Sequence, residues 1–102
     1  MNIRMDNKTR TWIENQGGIC TVNLVAYPGQ VNNKRLLVDF ECSTEPPNNL
    51  EDYYRLELDG AALYFHKKLE QKKKDVELRV SGREPFEYLE VKGFKRLFTE
   101  VV

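Results

Sequence analysis

The chain has 102 residues, of which 40% are hydrophobic and 31% are charged, and its 16 basic residues balance its 16 acidic ones. This length suits one domain, and zero net charge excludes a globally basic nucleic-acid-binding protein. The sequence contains no apolar run of about 18 residues, the length needed to span a membrane, and its first residues lack the apolar stretch of a signal peptide. The chain is therefore expected to be cytoplasmic.

Residues 1–18 are mostly polar and end in Gly17-Gly18. They are interpreted as a partly ordered N-terminal arm, which Trp12 and Ile13 dock onto the body. A single β-barrel domain is expected over residues 19–102.

Residues 19–27 and 34–42 predict a β-hairpin, because apolar residues alternate with polar ones in both segments. The turn-rich residues 28–33 form its predicted loop. Placing Cys20 opposite Cys42 and Ala26 opposite Leu36 gives each apolar side chain of one face an apolar partner, while the opposite face is mixed. A shift of one residue would destroy that match, so the pattern selects its own register.

The middle of the chain contains one ambiguous segment. A loop with two prolines covers residues 43–52, and a third strand is predicted at 53–58. Residues 61–74 favour a helix, since they are rich in Ala, Leu, Lys, Glu and Gln. A strand remains open as the alternative, because Asp59-Gly60 is a strong two-residue hairpin turn. Two further strands are predicted at 75–81 and about 86–92.

The predicted order of elements is three strands, one helix and two strands, which is the order found in the OB-fold. The stretch 76–83, which reads VELRVSGR, looks like the fourth strand and turn of OB-fold domains, and FEYLEV at 86–91 looks like the fifth. VNLVAYPG at 22–29 is similar to the first strand and loop of bacterial single-stranded DNA-binding proteins. The resemblance implies a β-rich fold, as a small five-stranded OB-like barrel with one helix between strands 3 and 4, and a single-stranded nucleic acid as ligand.

Strand parity places several tyrosines and arginines away from the apolar face. Tyrosines can stack on bases, and basic side chains can contact phosphates. The predicted nucleic-acid-binding residues are Tyr27, Arg35, Tyr53, Arg55, Arg79, Tyr88, Lys72, Lys73 and Lys74. Carboxylates on the same faces predict modest, strongly salt-dependent binding. An ordinary solvated surface is the alternative interpretation.

The sequence does not predict an enzyme. Cys20 and Cys42 are expected to be reduced, buried thiols, with a disulfide or redox pair as the alternative. His66, the only histidine, has no accompanying nucleophile motif. Two cysteines and one histidine are too few for a structural zinc site, so no metal or cofactor is expected.

A protein-interaction module, such as an adaptor, an inhibitor or a subunit of an assembly, is the second functional hypothesis. Its contact surface would be the loop 43–52 and the outward tyrosines, because tyrosine is enriched at interfaces. Barrel edges can pair between copies, so a homodimer is also possible.

Overall fold

A computed structural model describes the backbone of residues 1–32 and 35–99, and the side chains of residues 1–25 and 38–96. Within these residues it contains eight strands, one α-helix and a short 3-10 helix at Leu50–Asp52. The elements are β1 (Asn2–Met5), α1 (Asn7–Asn15), β2 (Ile19–Asn32), β3 (Arg35–Ser43), β4 (Tyr53–Leu58), β5 (Ala61–His66), β6 (Asp75–Ser81), β7 (Tyr88–Lys92) and β8 (Leu97–Thr99). The fold is therefore β-rich, as predicted.

The strands form two sheets. Sheet A has three strands in the order β1-β6-β7, and sheet B has five in the order β4-β5-β2-β3-β8. The β2–β3 hairpin is present, but Val22 pairs with Cys42, not Cys20. The predicted register is therefore off by two residues. β2 also continues through the predicted loop to Asn32, after a register shift between Ala26 and Val31.

The predicted helix at 61–74 is wrong, because β5 occupies residues 61–66 and pairs with β4. Asp59 and Gly60 both have positive φ, 51° and 83°, as a two-residue hairpin turn requires. Ala61, Leu63 and Phe65 are buried while the residues between them are half-buried. This period of two, enforced by the hairpin turn, outweighs the helix propensity of the segment.

The predicted arm at 1–18 is instead part of the folded body. β1 pairs with β6 in parallel, and the Asp6 side chain caps α1 by accepting a hydrogen bond of 2.8 Å from the Thr9 N–H. Ile13 of this helix is completely buried in the core. The N-terminal segment therefore covers one side of the sheets.

The core lies between the inner faces of the two sheets. Its buried side chains come from α1, β2, β5, β6, β7 and the segment that follows β7: Ile13, Cys20, Val22, Ala61, Leu63, Phe65, Val76, Leu78, Val80, Leu89, Val91 and Phe94. In the described part of the chain the sheets do not close into the predicted barrel. A groove of about 360 Å³, lined by residues of β3 and β7, separates them there. No helix among the described residues is long and apolar enough to cross a membrane.

Candidate functional site

The outer face of sheet A, which points away from the core, is basic. Strand alternation places there the residues that lie between the buried ones of β6 and β7. On its strands this face carries three basic and three acidic residues, Arg4, Arg79 and Lys92 with Asp75, Glu77 and Glu90, and the segment before β6 adds Lys73 and Lys74 at one end. A chain with zero net charge therefore has a local positive excess on one face.

Lys73, Lys74 and Lys92 line a groove of about 300 Å³ together with Arg4 and two carboxylates, Asp75 and Glu77, so basic side chains outnumber acidic ones there. Within the part of the chain whose side chains are described, none of these lysines makes an ion pair shorter than 4.0 Å. Their ammonium groups are therefore available to an anionic ligand.

The lysine-rich segment 72–74 is held in place through its backbone. The N–H groups of Lys72 and Lys73 donate hydrogen bonds of 2.7 and 3.2 Å to the Gly93 carbonyl oxygen. Gly93 follows β7 directly, so these contacts join the lysines to the end of sheet A. The positions of the lysine backbones are consequently set by the sheet.

Exposed aromatic side chains lie at the other end of sheet A. Phe86 is 81% exposed, and Tyr88, at the start of β7, is 52% exposed. Tyr88 interacts with Glu90 by a hydrogen bond and through its charge, and this raises the pKa of the tyrosine. The basic groove and the aromatic pair are thus joined by one continuous sheet surface.

The arginines of this region are partly compensated. Arg79 Nε lies 3.8 Å from a Glu77 carboxylate oxygen, and Arg4 lies 3.7 Å from Asp75. All four side chains are substantially exposed, so these pairs contribute little to stability. They do reduce the attraction that Arg79 can offer a phosphate.

Two predicted contact residues lie on the opposite side of the molecule. Tyr53 and Arg55 belong to β4 of sheet B, and their side chains point away from the core. Arg55 donates a hydrogen bond of 2.8 Å to Glu57, and Tyr53 packs edge-on against His66 with ring centroids 5.0 Å apart. They cannot share one surface with Arg79 and Tyr88.

The nine predicted residues are therefore divided between the two sheets. Sheet A and the segment before it hold Lys72, Lys73, Lys74, Arg79 and Tyr88, and sheet B holds Tyr53 and Arg55. Tyr27 lies in β2 and Arg35 in β3, but their side chains are outside the described residues.

The prediction missed Arg4 and Lys92. Arg4 was assigned to the arm, and only the parallel pairing of β1 with β6 brings it opposite Glu77. Lys92 was at the end of a predicted strand, where parity alone could have placed it on the outer face. Phe86, which was not among the predicted contact residues, is exposed and lies in a turn before β7.

Sheet B has an exposed edge at β4. On its core-facing side Leu58 is half-buried, while Leu56 is 36% and Tyr54 57% exposed. The Lys67 amino group lies over the Tyr54 ring, 5.6 Å from its centroid. Leu50, just before β4, is exposed as well. This apolar surface lies at the unpaired end of the described sheet.

The two cysteines are free thiols in apolar surroundings. Burial raises the pKa of Cys20 to about 12, and burial with nearby Asp39 and Glu41 raises that of Cys42 to about 11. Both are therefore protonated at neutral pH, which makes them weak nucleophiles. No group of three or more possible metal ligands occurs among the described residues.

A sequence model of the CC/Se motif containing family matches residues 1–94, which is nearly the whole chain. The chain belongs to this family. No curated protein and no solved structure gives a significant match.

This sequence contains two cysteines, which are not consecutive. Its Cys20 and Cys42 lie on neighbouring strands, and both side chains face the core.

Proposed function

We propose that this chain is a non-catalytic binding protein that binds single-stranded nucleic acid on the outer face of sheet A. The positive excess of that face carries the proposal. Lys73, Lys74 and Lys92 would contact phosphates at one end, while Tyr88 and Phe86 would stack on bases at the other.

The ligand class is the one that the OB-fold resemblance implies, but the proposed surface differs from the predicted one. It omits Tyr53 and Arg55 and adds Arg4, Lys92 and Phe86. Sheet B is a less suitable alternative, because its outward strands carry Asp39, Glu41 and Glu57 against Arg55, and its described basic side chains are paired: Arg55 with Glu57, and Arg96 with Asp39. Carboxylates repel a phosphate backbone.

Fluorescence anisotropy with a labelled single-stranded oligonucleotide at low salt tests the proposal. Binding should weaken steeply as salt is added, with a slope of log K against log salt of about −2 for three phosphate contacts. Lys73→Glu should weaken binding about tenfold or more, since it replaces one attraction by a repulsion.

Arg55→Glu is the matched control, because it makes the same change of charge on the opposite face. It should leave the affinity unchanged. Absence of binding at tens of micromolar protein, or equal losses from Lys73→Glu and Arg55→Glu, would contradict a site on sheet A.

The protein-interaction module is the second candidate, and the exposed apolar side of β4 favours it. Edge strands with such surfaces bind partners by adding a strand. Co-purification of a stoichiometric partner with the native chain, and its loss in Leu56→Lys, would support this function over nucleic-acid binding.

A further inference from the structure

The backbone N–H and C=O groups of successive β4 residues point alternately towards β5 and towards the free edge of sheet B. The Lys67 N–H donates to the Asp52 carbonyl oxygen at 2.8 Å, one position before the first β4–β5 pair. In an antiparallel ladder, both polar groups of a residue point to the same side, and the side alternates along the strand. The N–H and C=O groups of Arg55 and Glu57 therefore face away from β5, as do those of Tyr53, whose N–H already donates to the Leu50 carbonyl oxygen.

Among the described residues, this edge lacks two of the usual protections against strand addition, a proline and a bulge, and its protection is limited to the charges of Arg55 and Glu57. β4 contains no proline, and its ladder with β5 has no register shift. The core-facing side of β4 adds the exposed surfaces of Tyr54 and Leu56. Backbone groups and apolar side chains are thus presented along the same strand.

The charged side chains of β4 complement those of a second, antiparallel β4 strand. Arg55 and Glu57 lie on the same outward side, one residue to either side of Leu56. In an antiparallel pair of two β4 strands centred on Leu56, Arg55 of each copy lies opposite Glu57 of the other. These two residues are also among those whose backbone groups face the free edge, so they can exchange hydrogen bonds.

We propose that two copies of this chain dimerise by antiparallel pairing of their β4 strands around Leu56. About four backbone hydrogen bonds join the copies through Arg55 and Glu57. On the core-facing side, Leu56 contacts Leu56 of the second copy, and Tyr54 contacts Leu58. The result is one sheet B that runs continuously through both molecules.

The neighbouring registers are less favourable. Centring the pair on Arg55 places the two arginines opposite each other, and centring it on Glu57 does the same for the glutamates. Like charges directly opposite destabilise a strand pair. Charge therefore selects the register around Leu56.

The dimer does not depend on the proposed nucleic-acid site, because β4 and sheet A share no residue. Sedimentation equilibrium of the full chain from low micromolar to millimolar concentration measures it. The native chain should form dimers and no larger species, since a two-fold interface uses the same edge of both copies.

Charge-reversal variants of Arg55 and Glu57 test the pairing of these two residues between the copies. Arg55→Glu and Glu57→Arg should each weaken the dimer about tenfold or more, because each places two like-charged pairs in the interface. The double variant Arg55→Glu/Glu57→Arg should restore it. A mixture of the two single variants should form heterodimers, since a doubly acidic edge then meets a doubly basic one.

Leu56→Lys should abolish the dimer by placing two ammonium groups together at the two-fold axis, while Arg79→Glu on sheet A is the control that should leave it intact. Circular dichroism verifies that every variant is folded. A native chain that stays monomeric at millimolar concentration overturns the proposal, even if a different protein binds β4. Single reversals that are not rescued by mixing overturn it too.

Discussion

The hydroxyl oxygen of Thr9 accepts a hydrogen bond of 3.0 Å from the backbone N–H of Val80 in the protein interior. Val80 lies two residues beyond Leu78, where the ladder between β1 and β6 ends. α1 follows β1 closely in the chain, so the Thr9 hydroxyl accepts the hydrogen bond that the backbone of a further β1 residue would otherwise accept from β6. The bond spans 71 positions of sequence and attaches the helix to sheet A.

Replacing Thr9 by valine should lower the free energy of unfolding by about 1–3 kcal/mol. Valine has the same shape but cannot accept the hydrogen bond, so the buried Val80 N–H would lose its partner. Urea denaturation measures the change. Thr11→Val on the exposed side of the same helix is the matched control and should have a much smaller effect. Equal losses in the two variants would contradict the role of this bond.

Removing residues 1–18 should abolish cooperative unfolding. The deletion takes away β1, the Thr9 bond and the fully buried Ile13, and it exposes the inner side of the sheets to water. Thermal denaturation followed by circular dichroism shows the outcome. A shortened chain that unfolds in one sharp transition near the melting temperature of the full chain would mean that these residues are a dispensable arm.

The sequence predicted which side of most strands faces the core, because side chains alternate strictly along a strand. Cys20 was placed on the apolar face of its strand and is buried, and Arg79 was placed away from the apolar face and is exposed. The hairpin register was wrong by two residues for the same reason. A shift of two leaves each side chain on its face, so the apolar pattern alone does not distinguish Val22 from Cys20 as the partner of Cys42.

Other features depended on contacts that the local pattern does not contain. α1 has few apolar residues, and its start is marked only by Asp6 and the polar residues after it. Its helical state depends on packing against β5 and β6. The basic groove likewise joins Arg4 with Lys73, Lys74 and Lys92, and only the strand order brings these residues together.

Alkaline pH should destabilise the protein through Cys20. Burial raises the pKa of this thiol from 9.0 to about 12, so the folded chain retains the proton while the unfolded chain releases it. The stabilisation is fully present below pH 9 and is lost as pH rises towards 12. The free energy of unfolding should fall by about 1.4 kcal/mol per pH unit from this group.

The variant Cys20→Ala separates this contribution from that of other titrating groups. Urea denaturation at a series of pH values should give a shallower decline above pH 9 in Cys20→Ala than in the native chain, whatever the variant's stability at neutral pH. Parallel declines would show that the Cys20 thiol is not the group responsible.

Gly93 should tolerate no side chain, whereas Gly17 should tolerate one at moderate cost. The two residues have nearly the same backbone, with φ of 115° and 116°, so alanine carries a similar conformational penalty of about 1–3 kcal/mol at each. A Cβ atom at Gly93, however, would lie 2.7 Å from the Asp75 carbonyl oxygen, while none of the described atoms approaches a Cβ at Gly17 within 4 Å.

Gly93→Ala should therefore lower the free energy of unfolding, measured by urea denaturation, well beyond the loss in Gly17→Ala. It should also disturb the lysine segment, whose backbone is bonded to Gly93. Equal stability of the two variants would show that β6 can move away from Gly93 without loss.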